Sequence, residues 1–226
     1  MDFTNAGAQI FVPDDVDPRA AVRRTTHLGV GAHQDDIPIM AHDGIQRCFG
    51  QSDQWFLGIT VTDGAGSPRS GLYSDYTGEQ MRKVRNVEER KAAFLGEYGA
   101  AVLLDYPSAV AKDVSSRAIV DELASLINEA RPDVVYTHNL ADKHDTHVGV
   151  ALRTIAAIRK LPDNTRPKAV YGCEVWRDLD WLADTDKVAF DVSPHPNIAA
   201  ALMGVYDSQI SGGKRYDLAT AGRRLA

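Results

Sequence analysis

Short apolar runs rich in β-forming residues alternate along this chain with longer segments of helical periodicity. The apolar runs predict strands at 26–32, 55–61, 100–106, 133–138 and 168–174, with a last one at 187–193. The periodic segments predict helices at 79–98, 116–132, 147–161 and 195–210, and Met81, Val87 and Phe94 recur at helical spacing in the first of them. Strands that alternate with helices in this way favour an α/β fold with a mostly parallel sheet.

The chain has 226 residues, of which 44% are hydrophobic and 25% charged, as is usual for a globular domain. It contains no internal repeat, low-complexity tract or obvious linker. We therefore expect one domain over residues 1–226, with a core at about 26–212, built as a Rossmann-like, doubly wound sheet. The sequence does not determine the oligomeric state, and a homo-oligomer is one of the alternatives.

Charge and cysteine content exclude several classes of partner. The formal net charge of −6 gives no reason to expect a nucleic acid or an anionic membrane as partner. No apolar run is long enough to span a bilayer, and the first residues do not resemble a signal peptide. Cys48 and Cys173 lie far apart without a metal-binding spacing, which favours a reduced, cytoplasmic protein.

Polar side chains follow three of the predicted strands. His33, Asp35 and Asp36 come directly after the first strand, Asp63 follows the second, and His138 ends the strand at 133–138. In doubly wound sheets, ligands bind beyond the carboxyl ends of the strands, where the strand order reverses. We therefore expect these loops to meet around one site. His138 has two interpretations at this stage: it faces the cavity, or it is bonded to the backbone.

The spacing of these residues is suited to a metal site. A hydrolytic zinc ion usually has three protein ligands from histidine and carboxylate side chains, with a further position for water. His33 and Asp36 are three residues apart, and the segment HDTH offers His144 and His147 at the start of a predicted helix. The alternative is structural: Asp35 and Asp36 cap a short helix, and the histidines are ordinary loop residues.

Several short motifs resemble those of one known family. AHQDD at residues 32–36 resembles the AHPDD motif of the PIG-L/LmbE-like zinc N-deacetylases, and DKHDTHVGV at 142–150 resembles the later HPDH motif. Between them, VTDGAG is similar to the T-x-G turn of that family, and RNVEERKAA to its R-x-x-E-x-x-x-A helix. FDVS and YDSQI are similar to weaker signatures further on. The matches occur in family order from about residue 27 to 210.

The resemblance implies a role for each matching residue. His33, Asp36 and His147 correspond to the zinc ligands of the family. Asp35 corresponds to the general base that activates water. His144 corresponds to the histidine that stabilises the oxyanion or assists the leaving amine.

Three residues are candidates for substrate binding: Arg85, Asp63 and Asp142. The resemblance implies that Arg85 contacts a substrate hydroxyl, and its alternative is an ion pair with Glu89 on a solvated helix face. The sequence also departs from the family pattern, because Gln34 replaces a proline, Ile37 replaces a glutamate and HDTH replaces HPDH. We expect Asp142 to compensate for the displaced aspartate of that last motif.

These observations predict a zinc-dependent hydrolase that removes an N-acetyl or short N-acyl group, with an N-acetylglucosamine-type sugar or conjugate as substrate. One alternative is a zinc-dependent hydratase of an unsaturated dicarboxylic acid, for which Arg69, Lys83 and Arg85 are candidate carboxylate-binding residues. A sugar deacetylase would instead use acidic and aromatic groups from the loops at 63–78 and 176–187. A third alternative is a catalytically silent metal-binding protein, which the altered HDTH segment motivates.

Overall fold

A six-stranded sheet with helices on both faces forms the centre of the protein, which the computed structural model describes over residues 3–225. The strands are β1 (Gln9–Phe11), β2 (His27–Gly31), β3 (Phe56–Thr62), β4 (Ala100–Tyr106), β5 (Val134–His138) and β6 (Ala169–Cys173). The helices are α1 (Pro18–Arg23), α2 (Asp36–Met40), α3 (His42–Cys48), α4 (Gly78–Leu95), α5 (Ser108–Lys112), α6 (Ala118–Ala130), α7 (Asp145–Lys160), α8 (Pro196–Gly204), α9 (Asp207–Ile210) and α10 (Tyr216–Leu225).

The strands lie in the order β1-β4-β3-β2-β5-β6, and all neighbours are parallel except β1 and β4. The chain moves outward from β2 to β4 on one side of the sheet, and then from β5 to β6 on the other. The order therefore reverses between β2 and β5, which is where a doubly wound sheet binds its ligands. The predicted α/β fold, a doubly wound and mostly parallel sheet, is confirmed.

Each face of the sheet has its own apolar core. Helices α1, α6 and α7 contribute to one core, and α2, α3, α4 and α8 contribute to the other. Two glycines of β2 let α2 lie close to the sheet, since a Cβ on Gly29 would be 2.8 Å from the Phe56 ring and one on Gly31 would be 3.0 Å from Ile37. The GVG sequence of β2 thus sets the position of the turn that follows it.

The predicted strand at 187–193 is wrong, because this segment forms no ladder. Its Phe190 packs through its ring against Tyr171, with centroids 4.9 Å apart, so a side-chain contact replaces backbone pairing. The predicted helix at 195–210 is divided into α8 and α9 by Tyr206, whose backbone leaves the helical region. Strand β1, which pairs with β4, and helices α1 and α10 lie outside the sequence-predicted elements.

Helix α4 buries only part of the face that its apolar spacing predicts. Met81 is completely buried, but Val87 and Phe94 are 51% and 68% exposed, whereas the charged Arg85, Glu88 and Glu89 are buried. The helix begins with a capping box in which the side chains of Thr77 and Gln80 bond each other's backbone. Charged groups buried on a helix require partners, and these are found at the site described below.

Between residues 3 and 225, no helix combines the length and apolar character that a membrane crossing requires.

Candidate metal centre and catalytic cavity

A cavity of about 320 Å³ lies beyond the carboxyl ends of the parallel strands. Its wall is formed by the loops that follow β2, β3, β4, β5 and β6, together with residues from the C-terminal segment. The lining residues are His33, Asp35, Asp36, Gly64, Gly66, Ser67, Pro68, Arg85, Ser108, Lys112, His144, Thr146, His147, Trp176, Gln209, Lys214 and Tyr216. The expectation that strand-end loops meet around one site therefore holds for His33, Asp35, Asp36, His144 and His147.

The side chains of His33, Asp36 and His147 converge on one point. Nδ1 of His33 lies 3.2 Å from both Oδ2 of Asp36 and Nε2 of His147, and Oδ2 of Asp36 lies 3.4 Å from Nε2 of His147. A tetrahedral zinc ion with ligand distances of about 2.0–2.1 Å has its ligand atoms about 3.3 Å apart. The spacing of these three atoms therefore fits that of zinc ligands.

The turn after β2 gives Asp36 this position. The backbone N–H of His33 donates to Oδ2 of Asp36 at 2.7 Å, and Asp36 begins α2. Burial raises the pKa of Asp36, but the nearby His147, His33 and His138 lower it well below its usual range, so a carboxylate is held here. Asp35 precedes the helix without making a side-chain capping bond. The capping alternative is thus contradicted for Asp35.

Asp142 orients the ring of His147 through a hydrogen bond. Nδ1 of His147 lies 2.7 Å from Oδ2 of Asp142, so that its N–H donates to the carboxylate and Nε2 keeps its lone pair for a metal. Burial lowers the pKa of His147, but Asp36 and Asp142 raise it to about 9 in the metal-free protein. Asp142 does not line the cavity, and this contact is the compensation expected for the altered HDTH segment.

His138 lies next to the candidate metal ligands Asp36 and His147 and does not line the cavity. The backbone N–H of Ala32 donates to its Nε2 at 2.9 Å, and its ring stacks on that of His147 with centroids 4.0 Å apart. Of its two interpretations, the backbone-bonded one is therefore correct. This bond ties the end of β5 to the end of β2, directly before His33.

Arg85 reaches the site from α4 and is only 1% exposed. Its Nη2 donates to Oδ1 of Asp35, and its Nη1 donates to Oε2 of Glu88 at 3.0 Å and to Oγ of Ser208 at 3.2 Å. Burial lowers the pKa of Arg85, but Asp35 and Glu88 raise it above the ordinary value, so the guanidinium stays charged. The alternative of an ion pair with Glu89 on a solvated face is wrong.

Gln34, which replaces the proline of the family motif, connects the turn after β2 to α4. Its Nε2 donates to the carbonyl of Thr62 at 3.2 Å, and its Oε1 accepts a hydrogen bond from Nε of Arg85 at 3.2 Å. The side chain is completely buried. The substitution therefore adds two hydrogen bonds to the turn that carries Asp35.

His144 stands at the N-cap of α7 and lines the cavity. Its Nδ1 accepts a hydrogen bond from the backbone N–H of Thr146 at 3.3 Å, which places the hydrogen of the neutral ring on Nε2. Its ring stacks on His147 with centroids 4.4 Å apart. Burial, with the charges of His147 and His33, lowers the pKa of His144 and favours this neutral form.

Other predicted residues lie away from the cavity. Oδ1 of Asp63 accepts a hydrogen bond from the backbone N–H of Ala65, and Asp63 lines a separate surface depression. Arg69 and Lys83 are exposed and do not line the cavity. From the predicted loop at 176–187, only Trp176 lines it.

Several cavity residues were missed by the sequence reasoning: Ser108, Lys112, Gln209, Lys214 and Tyr216. Lys112 and Ser108 belong to a five-residue helix, and Lys214 lies in a turn near the C-terminal helix. Such short elements have no periodicity to reveal them. The YDSQI match, which contains Gln209, was the only signal for any of these residues.

Solved structures with the same fold include enzymes of two kinds. An N,N'-diacetylchitobiose deacetylase from Pyrococcus horikoshii aligns with a TM-score of 0.64 and 17% identity, covering 82% of this chain and 70% of that chain. A deacetylase of teicoplanin biosynthesis aligns at 0.62 and 17%, covering 89% and 93%. The 4-carboxy-2-hydroxymuconate hydratase GalB from Pseudomonas putida aligns at 0.65 and 17%, covering 89% of each chain. At these identities the likeness concerns the fold.

Family assignment rests on a longer sequence match. No curated protein matches the chain significantly. The PIG-L family model, described as GlcNAc-PI de-N-acetylase, matches residues 28–158, which is more than half of the chain. The match includes the turn with His33 and the helix start with His147, and the chain belongs to the PIG-L family.

Proposed function

We propose that this protein is a zinc-dependent N-deacetylase that removes an acetyl or other short acyl group from a small molecule. The observation that carries the proposal is the triangle of His33 Nδ1, Asp36 Oδ2 and His147 Nε2, with edges of 3.2–3.4 Å. Membership of the PIG-L family supports the reaction class. We further propose an N-acetylglucosamine-type sugar or conjugate as substrate and, from the two free cysteines, a cytoplasmic location.

In the proposed site, His33, Asp36 and His147 hold the ion, which when bound supplies Lewis-acid activation of water and of the amide carbonyl. Asp35 is the general base. Its Oδ1 is engaged by Arg85, whereas no hydrogen bond reaches its Oδ2 from any residue between 3 and 225. Oδ2 is therefore available to accept the proton of the attacking water.

His144 acts on the other side of the reacting amide. Because its Nδ1 accepts a backbone hydrogen bond, its Nε2–H is the group that donates a hydrogen bond to the developing oxyanion. The proton that Asp35 accepted from the attacking water passes to the leaving nitrogen as the C–N bond breaks, and the products are a carboxylic acid and a free amine. The ring stack with His147 keeps this imidazole in place.

Metal content and acetate release test the proposal together. Purified wild-type protein is expected to bind one zinc ion per chain and to release acetate from members of a panel of N-acetyl amino sugars. The His33→Ala and His147→Ala variants are expected to lose both, while His195→Ala, which changes an exposed histidine outside the cavity, retains both. Unchanged zinc content in the first two variants would refute the assignment of the ligands.

The same zinc and acetate measurements, together with an ultraviolet assay of an unsaturated dicarboxylic acid, distinguish the deacetylase from the hydratase and from the silent metal-binding protein. Arg69 and Lys83 lie outside the cavity, and Arg85 is already engaged by Asp35 and Glu88, so the residues predicted to bind a dicarboxylate are not free to do so. A hydratase would remove the ultraviolet absorbance of an unsaturated dicarboxylic acid without releasing acetate. A silent metal-binding protein would bind zinc and do neither.

A further inference from the structure

Two lysines, Lys112 and Lys214, line the catalytic cavity without an ion-pair partner among residues 3–225. We propose that they bind an anionic group, a carboxylate or a phosphate, that the substrate carries in addition to its N-acyl group. This inference rests on the proposed function and concerns the part of the substrate that does not react.

The carboxylates of the cavity are already engaged. Among the described residues only Asp35 and Asp36 line it with acidic side chains. Asp35 is paired with Arg85, and Asp36 is surrounded by the histidines of the metal centre. Neither carboxylate forms an ion pair with the two lysines, so the acidic groups of the cavity do not compensate their positive charges.

Four of the eight lysines of the chain form ion pairs within residues 3–225: Lys83, Lys160, Lys168 and Lys187. Lys112 and Lys214 differ from the other lysines unpaired in this range, Lys91 and Lys143, because they line the cavity. The chain as a whole has a net charge of −6, which makes carboxylates abundant on its surface. The two lysines that line the cavity therefore give it a local positive charge that attracts anions, although the protein as a whole is negatively charged.

The surroundings of the lysines suit a polar anion attached to a ring. Nζ of Lys214 lies 5.3 Å from the ring centre of Tyr216, whose ring packs on Trp176 with centroids 4.4 Å apart. Lys112 ends α5, which Ser108 begins, and both line the cavity. The aromatic pair offers a flat apolar surface, and the lysine ammonium and serine hydroxyl offer donors to anionic oxygens.

The cavity is small enough for one ligand to contact the candidate metal ligands and the two lysines at the same time. A volume of about 320 Å³ lies at the lower end of small-molecule sites, so a single small ligand that fills it reaches the metal centre and the lysines together. The proposed substrate is therefore an N-acylated compound with its anion on the same small molecule, such as a phosphorylated or carboxylated amino sugar.

Equilibrium binding to the zinc-loaded protein tests this inference without requiring turnover. The ligands are N-acetylglucosamine, its 1-phosphate and 6-phosphate, and N-acetylmuramic acid, titrated by calorimetry. We expect at least one anionic sugar to bind about tenfold or more tightly than the neutral one, as one charge-assisted contact can provide. The Lys112→Gln/Lys214→Gln variant is expected to lose this preference, and Lys112→Arg/Lys214→Arg to keep it. Lys91→Gln, which removes an exposed lysine outside the cavity, is expected to bind like wild type.

Preference for phosphate over carboxylate, or the reverse, identifies the source of the anion. Equal affinity for the neutral sugar and all three anionic sugars would overturn the inference, as would a preference that survives in the glutamine variant. Acetate release from the same ligands is measured in parallel. Lysine-dependent anion binding without acetate release contradicts the proposed function alone, whereas acetate release with equal kcat/KM on neutral and anionic sugars contradicts the anion inference alone.

Discussion

The two sides of the catalytic cavity balance their charges in different ways. On the α4 side the protein supplies its own cation, since Arg85 lies between Asp35 and Glu88 with its side chain 1% exposed. On the histidine side, Asp36 and Asp142 contact His147 and raise its pKa to about 9 in the metal-free protein, and the proposed metal would replace that positive charge. The two sides are therefore tested by different measurements: folding stability for the α4 side, and metal binding for the histidine side.

Asp35 belongs to both sides, and its replacement has the largest expected effect. In Asp35→Asn the proposed general base is removed while the three ligand atoms remain, so kcat should fall about a thousandfold or more. The measurement is acetate release from the best substrate of the panel. Zinc content, measured on the same preparation, should equal that of wild type. Activity within tenfold of wild type would show that another group accepts the proton.

Arg85→Met tests the stability of the α4 side. Removing the guanidinium leaves Asp35 and Glu88 buried and unpaired, which should lower the free energy of unfolding by about 3–5 kcal/mol. Arg90→Met, on the exposed face of the same helix, should change it by less than about 1 kcal/mol. Urea denaturation of the metal-free proteins measures both. Equal losses of unfolding free energy in the two variants would show that the buried ion pairs of Arg85 stabilise the fold no more than a surface contact does.

The histidine side was largely predictable from the sequence because its geometry is local. His33 and Asp36 are three residues apart at the end of a buried strand, and His144 and His147 are three apart at a helix start. Strand alternation then places both segments at one edge of the sheet. The sequence predicts the participants in this way, Asp142 included, but not which histidine Asp142 bonds, since that contact depends on the exact path of a loop.

The α4 side was predictable only in part, because its buried face carries charge. Apolar periodicity selected the exposed Val87 and Phe94, and Arg85 and Glu88 were indicated only by the resemblance of RNVEERKAA to the family helix. A buried ion pair has no signature in hydrophobic spacing, since its partners come from distant segments such as the one with Ser208. The same reasoning applies to the cavity lysines, which only the folded loops bring together.

Asp142→Asn weakens the histidine side without removing a ligand. The amide keeps the shape of the carboxylate but not its charge, so His147 becomes a poorer metal ligand and its pKa falls from about 9. Zinc affinity should decrease about 10- to 100-fold, as is typical when the partner of a metal-bound histidine is lost. Competition with a chelating dye measures the affinity. Asp145→Asn, an exposed carboxylate nearby, is the control and should bind zinc like wild type. An unchanged zinc affinity in Asp142→Asn would show that Asp142 does not contribute to metal binding.

A further predicted effect is a pH dependence of stability on the α4 side, at Glu89. Burial raises the pKa of this carboxyl from 4.5 to about 8, while a hydrogen bond from the Tyr206 hydroxyl and the charge of Arg85 oppose the rise. Between these values the folded protein keeps a proton that the unfolded chain releases, so this contribution to stability is complete below pH 4.5 and declines as the pH rises toward 8. Glu89→Gln should remove the decline, which has a slope of at most about 1.4 kcal/mol per pH unit, whereas the exposed Glu97→Gln should keep it. Urea denaturation of the metal-free proteins from pH 5 to 8 measures the slopes. Parallel curves for wild type and Glu89→Gln would show that Glu89 is ionised in the folded protein, and that its carboxylate adds to those of Asp35 and Glu88 beside the single buried arginine.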